Sequence, residues 1–190
     1  MTSVRLRLAF LVAIAGLSAC SGLRERGTAA RGGAEVTRFH LGGVVASGEV
    51  VLEPRFSGGA TPPNYAASAV AVANELRRLG FTPGDRPGSE FIATVDVATG
   101  TPLQLQARAP ARAEAAPTTP VTPGVAASTT NQAQLSVQLK RRSDGSIVWE
   151  GRAREPIPAD VAVPPATVSR LAAAMFRDFP GESGRTIRVR

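Results

Sequence analysis

The residue types that do chemistry are scarce in this chain, and most of them occur singly. Its 190 residues hold one His, one Cys, one Trp, one Tyr and one lysine, Lys140. His40 is the sole candidate for a histidine general base or a member of a nucleophilic triad, and no Ser/Asp pairing accompanies it. Strand alternation places it opposite Phe39 and Leu41, toward solvent. Lys140 would need a serine at 137 to form a Ser-x-x-Lys pair, and Val137 stands there. One His and one Cys cannot furnish a His/Cys zinc site. The glycine pairs Gly42-Gly43 and Gly58-Gly59, and the run Gly181–Gly184, lack the spacing of a phosphate-binding loop. Two carboxylate pairs, Glu49/Glu53 and Asp144/Glu150, are the remaining candidates for glycosidase-type acid–base work. Acidic groups at strand edges and turns are more often solvated surface. Trp149 could stack on a sugar, but the hairpin register below buries it. No catalytic, cofactor-binding or metal-binding residue is assigned, no cofactor is expected, and the chain reads as non-enzymatic.

The elements that would position these residues are legible from periodicity. Tyr65, Ala69, Val72, Leu76 and Leu79 form one stripe of a helix that Pro62-Pro63 precedes and Gly80 ends. Val168, Leu171, Ala172, Met175, Phe176 and Phe179 form a second, between Pro164-Pro165 and Pro180-Gly181. Strands are predicted at 36–41, 48–53, 90–97, 134–141 and 146–154. The last two form a hairpin around Ser143-Asp144-Gly145. A two-residue loop would set Leu139 against Glu150. A three-residue loop with Gly145 in the left-handed region sets Leu139 against Trp149, Val137 against Gly151 and Leu135 against Ala153, and so gathers the apolar residues on one face. The other face then reads Lys140, Gln138 and Ser136 opposite Val148, Glu150 and Arg152. The expected fold class is α/β: a two-layer sandwich, a mainly antiparallel sheet of about five strands with two helices on one face, in the order β-β-α-β-(disordered insertion)-β-β-α.

Residues 1–19 read as an export signal. Arg5 and Arg7 precede an uncharged apolar run from Leu8 to Gly16, too short to span a membrane. The run ends in Leu17-Ser18-Ala19-Cys20, which resembles the lipobox of bacterial lipoproteins. That resemblance implies cleavage between Ala19 and Cys20, a diacylglycerol on the Cys20 thiol and acylation of the new amino terminus. Two or three acyl chains anchor a protein stably where one does not. Ser21 in place of Asp resembles the outer-membrane default, with inner-membrane retention the lesser expectation. Residues 20–34 are the lipidated Cys and a Gly-rich flexible tether, with a mean reach of roughly 20 Å. Residues 35–179 form a single domain. Within it, residues 98–132, rich in Pro, Thr and Ala, are expected to be a disordered insertion. Residues 180–190 form a basic tail, in which Ile187 and Val189 could add an edge strand or the terminus could fray.

The formal charge of +7 does not indicate a nucleic-acid partner. Its excess lies in Arg5 and Arg7 of the signal, in Arg24, Arg26 and Arg31 of the tether, and in Arg185, Arg188 and Arg190 of the tail, with Arg108 and Arg112 in the insertion. The body balances. A DNA-binding domain would concentrate basic residues on a groove-facing element.

Four further segments carry a resemblance: Val36–Leu41, Ala73–Phe81, Arg142–Ala153 and Phe176–Arg185. With the lipobox, they are similar to the small envelope lipoproteins of domain-of-unknown-function family 4136. The resemblance implies an α/β fold and an envelope location, and no activity. Members often carry a Gly-rich insertion where this chain has a Pro/Thr/Ala-rich one. The expected function is therefore a membrane-anchored, periplasm-facing outer-membrane lipoprotein that binds or assembles with another envelope protein or the cell wall. A glycan- or peptidoglycan-binding module is the alternative, and a carboxylate-type hydrolase stands behind it.

Overall fold

The computed structural model describes residues 33–42, 45–55, 62–108, 130–159 and 161–190. The signal, Cys20, the tether up to residue 32 and most of the insertion lie outside the described residues. In chain order the elements are β1 (Ala34–His40), β2 (Glu49–Pro54), α1 (Tyr65–Arg78), β3 (Thr82–Pro83), β4 (Phe91–Gly100), α2 (Pro102–Ala107), β5 (Gln132–Arg141), β6 (Ile147–Pro156), α3 (Pro165–Phe176) and β7 (Thr186–Val189). The strands form one sheet in the order β3-β2-β4-β5-β6-β1-β7.

The α/β character holds, but the count and order of elements differ from expectation. Among the described residues seven strands are present rather than about five, and three helices rather than two. β2 runs parallel to both β3 and β4, with α1 as the crossover; every other pairing is antiparallel. Two strands are short enough to hide in a sequence. β3 is a Thr-Pro pair at the sheet edge, where a proline costs no ladder hydrogen bond. β7 falls in the supposed tail and pairs Ile187 with Val36 and Val189 with Ala34. The C-terminal segment is thus part of the sheet.

α1 ends as its glycine predicts. Gly80 takes φ +87°, its N–H bonds the carbonyl of Arg77, and the Phe81 N–H bonds that of Leu76. This pair of bonds closes the helix end and turns Phe81 into the core. α1 and α3 lie on the face that carries Val50, Phe91, Ala93, Val95, Leu135, Val137, Leu139, Trp149 and Ala153, and with it enclose one apolar cluster. Each valine, leucine or phenylalanine side chain there that is removed from water contributes about 1.5–3 kcal/mol.

The core side of the hairpin pairs as expected: Leu139 with Trp149, Val137 with Gly151, Leu135 with Ala153. Its turn does not. Residues 142–146 separate the strands, and Lys140 pairs with Ile147 rather than Val148 across a register shift next to Leu139. The bulge absorbs the longer loop and leaves the apolar ladder in register. Gly145, at φ +69°, and the bond from its N–H to the Arg141 carbonyl shape the turn.

The expected insertion begins later than residue 98. β4 runs on through Gly100, and α2 follows with a reciprocal cap. Its Thr101 N–H donates to Gln104 Oε1 at 2.8 Å, and the Gln104 N–H donates to Thr101 Oγ1 at 3.4 Å. Leu105 is fully buried yet stands apart from the main cluster. The capping box and one leucine are what order 101–108; residues 109–129 lie outside the described residues.

Candidate functional site

A half-open cleft of about 560 Å³ lies where α3 ends, between β1, β7 and the segment 177–185. It is built from two of the segments singled out in the sequence, and a third, the hairpin, supplies Trp149 beneath it.

β1 presents its side chains the other way round from expectation. The apolar alternation Phe39/Leu41 placed those two toward the helices, and His40 toward solvent. Instead Val36 and Arg38 are buried, Phe39 is half-buried on the opposite face, and Leu41 is 75% exposed beyond the strand end. The physical reason is the end of α3. Its last carbonyls have no intrahelical partner and are buried against the sheet, so a cation that donates several hydrogen bonds is worth more there than a hydrocarbon. Arg38, only 3% exposed, donates from Nε to Met175 O (2.8 Å) and from Nη2 to Ala174 O (3.0 Å) and Arg177 O (2.8 Å). Burial lowers its pKa, and the charge of Asp178 opposes that shift.

His40 follows Arg38 on the same face and also serves the backbone. Its Nδ1 accepts from the Gly42 N–H at 3.1 Å, which leaves Nε2 to donate to the Gly181 carbonyl at 3.0 Å. The expectation of a solvent-facing His40 is corrected: the imidazole is half-buried and spans two loops. Gly184 N–H bonds the Arg38 carbonyl, and the His40 N–H bonds Ser183 Oγ, so the segment 181–184 is stitched along β1.

Below the loop, Trp149 is fully buried, as the register required. Its ring stacks on Phe176 with centroids 5.1 Å apart, and Nε1 donates to Pro180 O at 3.0 Å. Phe179 packs on both rings from the loop rather than from the helix, because α3 stops at Phe176. Asp178 (φ +54°) and Gly181 (φ +76°) turn the chain over the aromatic pair. A Cβ on Gly181 would come within 2.6 Å of the Arg38 side chain. The rim of the cleft carries one ion pair, Arg185 to Glu182 at 2.8 Å.

The candidate carboxylate pairs are divided among separate arginines. Glu49 pairs with Arg86, Asp144 with Arg141 and Glu150 with Arg152. Lys140 lies half-buried on the face away from α1 and α3, opposite Ile147. Among the described residues no three His, Cys, Asp or Glu side chains gather as metal ligands would. Arg38 and Gly181 were missed in the sequence. The available signal was Arg38 at an alternation position shared with Val36, facing a helix end rich in aromatics.

No family model matches the chain. An uncharacterized protein of Zymomonas mobilis is 27% identical over 211 residues, an alignment covering 82% of this chain and 80% of that one. Among solved structures, a PDZ domain protein from Parabacteroides distasonis superposes with a TM-score of 0.54 at 12% identity. That match covers 83% of this chain and 39% of the other, and it is a likeness of fold alone. A PelC dodecamer from Paraburkholderia phytofirmans gives a TM-score of 0.44 at 12% identity, over 74% of this chain and 92% of that one.

Proposed function

We propose that the protein is an envelope lipoprotein, anchored through Cys20, with Ser21 favouring the outer membrane. Its folded body binds or assembles with another envelope component and performs no catalysis. The observation that carries the non-catalytic part is how Arg38 and His40 are used. These are the two side chains by the cleft best suited to chemistry, and both are spent on backbone groups of their own chain. What remains for a partner is the part of the sheet face away from α1 and α3 that lies beyond α2, which packs on β4. The rows of that face read Phe39-Glu150-Gln138-Thr94-Glu53 and Thr37-Arg152-Ser136-Asp96 across the strands; Glu150 and Ser136 are buried, and the half-buried Thr37, Thr94, Asp96, Gln138 and Arg152 with the exposed Glu53 offer groups for hydrogen-bonded contacts. The anchor rests on the lipobox residues, and the resemblance to family 4136 agrees with it.

Two measurements test the reading. A Cys20→Ala chain expressed from its own signal should leave the membrane fraction, and persistence there refutes the anchor. Crosslinking in intact envelopes through a photoreactive residue at Thr94 should capture a partner protein. Recovery of the protein uncrosslinked from every position tried on that face counts against the binding role.

A further inference from the structure

We propose that the sheet corner built of Arg154, Arg188 and Arg190 is a docking surface for anionic phospholipid headgroups. The register brings these residues together from distant points of the chain. Glu35 on β1 pairs with Arg188 of β7 on one side and with Arg154 of β6 on the other, so one row of the face away from α1 and α3 reads Arg188-Glu35-Arg154. Arg190 follows Arg188 by two residues and extends the same face past the end of β7. Among the described residues an ion pair forms at one of the three cations: Arg188 Nη2 lies 2.8 Å from Glu35 Oε1, and Arg188 is still 61% exposed in its side chain. The next row adds Arg152, which is occupied with Glu150.

The place of this corner gives the occupant. Gly33 is packed against the backbone of Val189 and Arg190, so closely that a Cβ there would overlap the Val189 carbonyl. The chain that leads back to Cys20 therefore leaves the body beside Arg188 and Arg190. Residues 20–32 as a flexible coil have a mean reach of roughly 20 Å, short of the roughly 29 Å across the seven strands, and they carry Arg24, Arg26 and Arg31 against Glu25. A bilayer that holds Cys20 lies within reach of this corner before any other part of the sheet. The surface nearest it is the one with surplus positive charge. The hairpin turn 142–146 and the loop after His40 are at the opposite end of the strands. An arginine near an anionic membrane surface gains about 1 kcal/mol, and the gain falls off within a Debye length.

The physiological setting rests on the lipid-anchor reading, but the test does not need it. The mature chain, residues 20–190 with Cys20→Ser, is floated with vesicles of phosphatidylcholine alone or with a third phosphatidylglycerol, at low salt. Binding to the phosphatidylglycerol vesicles alone, lost at high salt, is the expected result. Arg154→Gln/Arg188→Gln/Arg190→Gln should lower the partition at least tenfold, since each arginine is worth about fivefold. Arg77→Gln/Arg86→Gln/Arg170→Gln removes the same charge elsewhere and should keep more than half of the binding. Equal partition into both vesicles overturns the proposal, as does an equal loss in the two triple variants. Cys20→Ala fractionation reports on the anchor separately. Five of the six arginines are exposed and Arg154 is half-buried, and circular dichroism checks that each variant is folded.

Discussion

Arg38 stands on β1 and closes α3: its guanidinium binds the carbonyls of Ala174, Met175 and Arg177, the last of which lies beyond the helix. One side chain therefore fixes the helix end, the start of the loop that follows and the distance of both from the sheet. Arg78 of α1 adds a fourth contact there, from Nη2 to Phe176 O at 3.4 Å. Arg38→Met keeps the volume and removes the donors, so the buried carbonyls of Ala174 and Met175 and the part-buried one of Arg177 lose their partner. Hydrogen bonds to charged groups are worth about 1.5–3 kcal/mol each, and they are not additive. We expect Arg38→Met to cost about 3 kcal/mol in urea denaturation. Arg38→Lys should recover less than half, because an ammonium cannot reproduce the planar fork.

Gly151 is the floor on which Trp149 and Met175 meet. A methyl group on its backbone would run into the indole ring and come within 2.8 Å of the Met175 thioether. Gly151→Ala should therefore destabilise the fold by about 1–3 kcal/mol through overpacking. The chain has one tryptophan, so its emission reports this site alone. A red shift in the folded Gly151→Ala protein is the expected sign that the indole has been pushed from its stack on Phe176.

The parity of β5 and β6 was legible because both strands alternate cleanly. Leu135, Val137 and Leu139 face Ala153, Gly151 and Trp149, and only one loop length satisfies both lists. The parity of β1 was not. Its apolar residues, Val36, Phe39 and Leu41, split between the two faces, and the larger count pointed the wrong way. What decided the matter was a tertiary demand, the bare carbonyls at the end of α3, which no local pattern in 34–40 announces. The helix at 102–107 escaped for a related reason, and the sequence left the edge strand at Ile187 and Val189 as one of two outcomes for the tail. β7 offers only Ile187 and Val189, and the helix buries Leu105 alone while Leu103 is exposed, so each gains its order from a neighbour already in place. Of the cleft, the sequence identified the segments but not their meeting.

Leu105 tests how separate α2 is from the main core. It is fully buried, lies outside the cluster under α1 and α3, and its short helix packs on β4. Leu105→Ala should release this element locally. Amide hydrogens of 103–108 should exchange much faster, while those of Leu135–Leu139 keep their protection. Removal of a buried leucine side chain costs about 2–5 kcal/mol where the site cannot collapse. A fall in the global midpoint of that size would show instead that α2 is part of the cooperative unit.

Asp144 links the hairpin turn to pH. Its carboxylate accepts from the Ser146 N–H at 2.9 Å and from Ser146 Oγ at 2.7 Å, and Arg141 Nη1 lies 3.0 Å away. The backbone bond, then the hydroxyl bond, then the arginine hold its pKa down at about 2, below the ordinary carboxylate range. A depressed folded-state pKa stabilises the protein above the unfolded value, near 4, and the contribution fades as pH falls toward about 2. Asp144→Ala removes it at every pH. The difference in melting temperature between parent and variant should thus be constant above about pH 5 and narrow steadily from pH 4 to pH 2. The turn is exposed and the effect on the whole fold is small, so the shape of the difference is the informative quantity. A difference that stays flat down to pH 2 would mean that the carboxylate acts through its geometry and not through its charge.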